Sequence, residues 1–84
     1  MVQVGAELGR FVIAGANSVV GHDAKVGDFV NMGPGTVIAS GVKVGDRVSF
    51  FANASTMSWI TIGEDSVISC GTGVKADLPP GSNI

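Results

Sequence analysis

One histidine stands in the chain, His22, and a carboxylate, Asp23, follows it directly. Imidazole is the side chain that takes up a proton near neutral pH, which suits a general base. A carboxylate beside it can orient the ring and favour its charged form. A lone histidine is nevertheless more often an ordinary surface residue, so the pair needs a frame that gives it a purpose. The other reactive group is the single cysteine, Cys70. No second histidine exists to activate it, and a small buried or half-buried thiol is the commoner state of a free cysteine. The lone histidine also argues against a zinc site made of three imidazoles from one chain.

The frame is a six-residue repeat that runs without insertion or deletion from Val2 to Pro79. Two copies surround the histidine, Val20-Gly21-His22-Asp23-Ala24-Lys25 and Val26-Gly27-Asp28-Phe29-Val30-Asn31. The first position is apolar in twelve of thirteen hexads, with Thr56 the exception, and the fifth is nearly always small or β-branched. The second is glycine in seven hexads, and the fourth is Gly, Asn or Asp in nine. No helical or simple alternating-strand template accounts for as many positions.

Alternate residues of an extended run share a face, so positions five and one point inward. Gly, Asn and Asp at position four suit a corner with positive φ. One hexad per side gives a triangular coil of eighteen residues, and successive coils stack as parallel strands. The expected fold is therefore all-β, a parallel β-helix of about four coils over residues 2–79, with residues 80–84 as a short tail. Pro79 and Pro80 cannot donate ladder hydrogen bonds and are expected to end the coil. Two further features stand out. Phe11 and Phe29 fall eighteen residues apart on one outward file, which suggests an apolar patch covered by a second subunit. Phe51, Thr56 and Met57 break the column rules, so a bulging loop or a pocket wall is expected there.

Composition removes several function classes. A net charge of −2 with five scattered basic residues offers no footprint for nucleic acid. No apolar run is long enough for a membrane span, and the start lacks the layout of a signal peptide. One cysteine forms no internal disulfide, which makes a reducing cytoplasm the expected compartment.

The segment Val19 to Gly35, together with Ser40-Gly41-Val42-Lys43-Val44-Gly45-Asp46 and Lys75-Ala76-Asp77-Leu78-Pro79-Pro80-Gly81-Ser82, resembles the sialic-acid and bacillosamine-type sugar acetyltransferases of the hexapeptide-repeat family. That resemblance implies a left-handed helix, a homotrimer, and acetyl transfer from acetyl-CoA to an amine or hydroxyl of a sugar or sugar nucleotide. It implies His22 as the base and Asp23 as its assistant, with Asn31 and Gly33 secondary, near the developing oxyanion. It places CoA along Gly35, Ser40, Phe51 and Ser58, with the site between subunits and no metal. The chain departs from the family pattern in three places. It starts directly on the coil, without the family's N-terminal sugar-nucleotide domain; Asn31 stands where a second histidine is common; and Phe51 replaces a usual glycine. The alternative expectation is a trimeric structural module without chemistry.

Overall fold

A computed structural model describes all 84 residues of the chain. It contains twelve strands of two residues each and no helix. In chain order they are β1 (Glu7–Leu8), β2 (Ile13–Ala14), β3 (Val19–Val20), β4 (Lys25–Val26), β5 (Asn31–Met32) and β6 (Val37–Ile38). They continue as β7 (Lys43–Val44), β8 (Ser49–Phe50), β9 (Ser55–Thr56), β10 (Thr61–Ile62), β11 (Val67–Ile68) and β12 (Gly73–Val74). Three parallel sheets result, ordered β1-β4-β7-β10, β2-β5-β8-β11 and β3-β6-β9-β12. Glu7 pairs with Lys25, Lys25 with Lys43 and Lys43 with Thr61, a step of eighteen residues each time. The chain is a triangular parallel β-helix with three walls and three corners.

Each strand begins on an outward sixth position and ends on an inward first position, with the inward fifth just before it. The first-position file Val20, Val26, Met32, Ile38, Val44, Phe50, Ile62, Ile68 and Val74 is buried, as is the smaller fifth-position file from Ala24 to Ser66, apart from Ile60. Large and small side chains alternate round the interior and fill a narrow prism without voids that would cost dispersion contacts.

The corners follow the fourth position more strictly than composition suggested. Twelve of the thirteen fourth positions have positive φ, including Phe11, Phe29, Arg47 and Trp59. For a non-glycine residue that conformation costs on the order of 1–3 kcal/mol. Stacking offsets it, because from Asp23 to Gly71 each corner N–H donates to a carbonyl of the coil below: Phe29 to Arg10 at 2.8 Å, Arg47 to Asp28 at 2.9 Å, Trp59 to Ser40 at 2.9 Å. Carboxylates complete the corners. Asp28 accepts the Arg10 N–H at 2.8 Å and Asp46 accepts the Asp28 N–H at 2.8 Å.

Three expectations are corrected. The region of Phe51, Thr56 and Met57 neither bulges nor walls a pocket; Ser55 pairs with Val37 and Gly73 in the eighteen-residue register. Only the ladder bond between Ala39 and Thr56 changes, with the Thr56 hydroxyl, not its carbonyl, accepting the Ala39 N–H at 3.0 Å. The prolines alter the spacing without ending the coil. Leu78 bridges Ile62 and Asn83 bridges Val67, a step of sixteen, and the Val67 N–H donates to Ser82. Residues 80–84 thus lie on the helix as part of a shortened last turn. Cys70 is exposed, because it sits on a third position of the upper coils where nothing stacks over the adjacent Gly71.

Candidate functional site

His22 occupies the corner between the walls of β3 and β4, and its peptide is held from both sides. Its N–H donates to the Gln3 side-chain oxygen at 2.9 Å, and its carbonyl accepts the Gly41 N–H at 3.0 Å. The neighbouring Asp23 donates its N–H to the Val4 carbonyl at 3.2 Å and takes the positive φ of the corner. Gly21, just before the histidine, has no room for a side chain: a Cβ there would lie 2.6 Å from the Ala39 carbonyl carbon. Close stacking of the next coil therefore fixes where the imidazole leaves the backbone.

The two side chains meet in solvent. His22 Nδ1 lies 3.3 Å from Asp23 Oδ2, with the side chains 55% and 61% exposed. So open a pair contributes under about 1 kcal/mol to stability; its value lies in orientation. With Nδ1–H donated to Asp23, Nε2 faces outward as the proton acceptor.

The remaining candidates divide between two corners and a wall. Ser40 and Ser58 stand eighteen and thirty-six residues after His22, one and two coils above it on the same third-position file. Gly33, Gly35 and Phe51 belong to the preceding corner, across the wall of β3, β6, β9 and β12. Asn31 begins β5, on the wall opposite the His22 corner. One chain therefore unites His22, Asp23, Ser40 and Ser58 and leaves Asn31, Gly33, Gly35 and Phe51 apart. The wall between the two corners bears only Val19, Val37, Ser55 and Gly73 outward, without charge, whereas the β1-β4-β7-β10 wall bears Glu7, Lys25 and Lys43.

Phe11 and Phe29 stack at the third corner with ring centroids 5.3 Å apart, and both remain exposed. Above them Arg47 holds Asp65 through Nε at 2.8 Å and reaches Glu64 at 2.9 Å. The one pronounced hollow, about 360 Å³, lies elsewhere, on the charged wall among Lys43, Asp46, Thr61 and Glu64. No group of His, Cys, Asp and Glu side chains is arranged to hold a metal ion, and no helix is long and apolar enough to cross a membrane.

Gln3, Gly41 and Trp59 are part of this corner although their types gave no warning. Gly41 and Trp59 stand eighteen and thirty-six residues after Asp23 on one file, and Gln3 joins through its side-chain bond to the His22 N–H.

Residues 5–40 match the family described as bacterial transferase hexapeptide (six repeats). No curated protein sequence matches the chain. Among solved structures, a histidine-to-asparagine variant of perosamine N-acetyltransferase from Caulobacter crescentus, in complex with CoA and GDP-perosamine, is similar at a TM-score of 0.85 and 28% identity. That likeness covers 99% of this chain and 48% of that one. A histidine-to-alanine variant of the GDP-perosamine enzyme from the same organism has a TM-score of 0.73 and 27% identity, covering 99% and 48%. PerB from C. crescentus, also with CoA and GDP-perosamine, gives 0.73 and 26%, covering 95% and 47%. The chain spans about half the length of the solved structures it matches.

Proposed function

We propose that this chain is the β-helix of a CoA-dependent sugar acetyltransferase, a reading supported by the match of residues 5–40 to the bacterial transferase hexapeptide family and by the likeness to perosamine N-acetyltransferase. The acceptor is an amine or hydroxyl of a sugar, carried on a nucleotide, and acetyl-CoA is the donor. The observation that carries this reading is the His22–Asp23 pair, fixed by stacked coils and open to solvent, on a fold that resembles about half the length of proteins solved with CoA and a nucleotide sugar.

The chemistry is direct transfer. With Asp23 holding Nδ1–H, His22 Nε2 removes the proton from the acceptor as its nitrogen or oxygen attacks the thioester carbonyl. The C–S bond then breaks, and the proton on His22 leaves with the CoA thiolate as a thiol. Backbone N–H groups or the Asn31 amide stabilise the oxyanion of the tetrahedral intermediate.

That last role requires a second chain, because Asn31, Gly33, Gly35 and Phe51 do not reach His22 within one protomer. Packing of three copies through the uncharged wall of Val19, Val37 and Ser55 supplies it. This wall is flanked on one edge by His22, Ser40 and Ser58 and on the other by Gly33, Gly35 and Phe51. A homotrimer in the cytoplasm with interfacial sites is the assembly this reading entails.

A non-catalytic trimeric module is the second reading, favoured by one observation: the pronounced hollow lies on the charged wall and not at His22. Replacing the base separates the two. The variant His22→Ala is expected to lose acetyl transfer by 10²- to 10⁴-fold, the usual contribution of a positioned base, while retaining CoA binding. Full transfer by that variant rules out the mechanism; no transfer and no CoA binding by the unaltered chain supports the module.

A further inference from the structure

Trp59 is the chain's one tryptophan, and the reaction described above makes no use of it. It is 70% exposed and sits at a corner with φ of 64°, a conformation that disfavours large side chains. Its ring is nevertheless held in place. A Cβ added to Gly41 would clash with the Cε3, Cζ3 and Cδ2 atoms of Trp59, so the indole lies against the Gly41 backbone one coil below its own. Gly41 in turn donates its N–H to the His22 carbonyl. The indole thus occupies the level immediately above the His22–Asp23 pair, about one strand spacing of ~4.8 Å away.

The neighbouring file shows what such a surface can serve. Above His22 the third positions are Ser40, Ser58 and Ala76, all small, whereas one coil below it stands the bulkier Val4. An acyl-pantetheine arm is long, roughly 13 Å from sulfur to its dimethyl carbon at standard bond lengths. With its thioester at His22, such an arm spans roughly three coil levels at ~4.8 Å each. The small third positions above the histidine leave it a path upward, along the serine file and beside the indole.

We infer that Trp59 is a positioning residue for the donor: its indole packs against the methylenes of the pantetheine arm next to the thioester and aligns the acetyl group with His22. This rests on the acetyltransferase reading. Gly41 belongs to the same device, since any side chain there would displace the ring.

As the only tryptophan, residue 59 reports on itself. Its fluorescence is expected to change on addition of CoA and of pantetheine, but not of adenosine 3′,5′-bisphosphate. Trp59→Ala is expected to weaken CoA binding in calorimetry, and to raise the KM for acetyl-CoA, by roughly fifteen- to sixtyfold, the size expected when two or three methylenes stay in water. The melting temperature should hold while kcat at saturating acetyl-CoA falls severalfold, because the acetyl group is no longer aligned, and Trp59→Phe should restore binding to within about threefold. Heat from CoA binding without a fluorescence change, and with equal affinity in Trp59→Ala, overturns this inference and leaves the acetyltransferase reading intact. Absence of heat at millimolar CoA with the unaltered chain removes both. Loss of assembly in both Trp59 variants overturns the inference in favour of a subunit contact.

Discussion

Arg47 and Asp65 occupy equivalent corner positions in successive coils, both with positive φ, and their side chains lock together at 2.8 Å. The hydrogen bond from Arg47, more than its charge, holds the Asp65 carboxyl below the usual carboxylate range, and Arg47 itself is pushed further up and stays protonated. A depressed carboxyl contributes stability above its unfolded pKa and loses it as pH falls through the folded one. The contribution of this pair is therefore present at neutral pH and disappears only in acid, below the ordinary carboxylate range. A carboxyl titration followed by NMR is expected to show Asp65 with a low midpoint that returns to the usual range in Arg47→Ala. An unchanged midpoint in that variant would assign the shift to something other than Arg47. The pair is exposed, so its energetic weight is small and falls with added salt. His22 and Asp23 were legible because the histidine is the only one in the chain and a carboxylate adjoins it. The repeat puts Trp59 on one file above Gly41 and Asp23, but that its indole folds down onto the Gly41 backbone was not legible, because a tryptophan next to a serine carries no chemical signature.

At the scale of the coil the repeat told almost everything. Columns one and five became the buried files, and column four became the corner. Composition did not reveal that Phe11, Phe29, Arg47 and Trp59 would adopt the same positive φ as Asn17 and Asp23. The reason is collective: stacked coils repeat one backbone path, and the hydrogen bonds between corners outweigh a local preference. The same cooperation explains Thr56. A polar residue on an inward column read as a defect, yet its hydroxyl accepts the Ala39 N–H where a backbone carbonyl serves elsewhere. Thr56→Val keeps the shape and removes that acceptor, so it is expected to cost about 1–2 kcal/mol. For a domain of this size that lowers the melting temperature by roughly 4–8 °C per kcal/mol. Thr56→Ser should melt close to the parent, and a Thr56→Val chain that does so as well would show that the bond is dispensable. The shortened turn after Val74 escaped the pattern because Pro79 and Pro80 remove donors without removing carbonyls. Leu78 and Ile84 still pair with the coil below.

For the molecule as a whole, the division of candidate residues between two corners is the decisive fact. Ser40 and Ser58 rise above His22, while Gly33, Gly35 and Phe51 lie across an uncharged wall, so the proposed site calls for a second copy to complete the set. Sequence periodicity located each residue on its file but said nothing about which files of different chains meet. Intermolecular contacts leave no periodic trace, and the stacked Phe11 and Phe29 remain exposed in the single chain. The most direct measurement is a crystal structure of the chain with bound CoA. The account predicts a trimer in which the CoA sulfur lies within hydrogen-bonding reach of His22, the arm runs past Ser40 and Ser58, and Gly33 or Asn31 of a second copy faces the same cleft. CoA seated on the charged wall by Lys43 and Glu64, or a trimer that buries His22 away from the ligand, would contradict it.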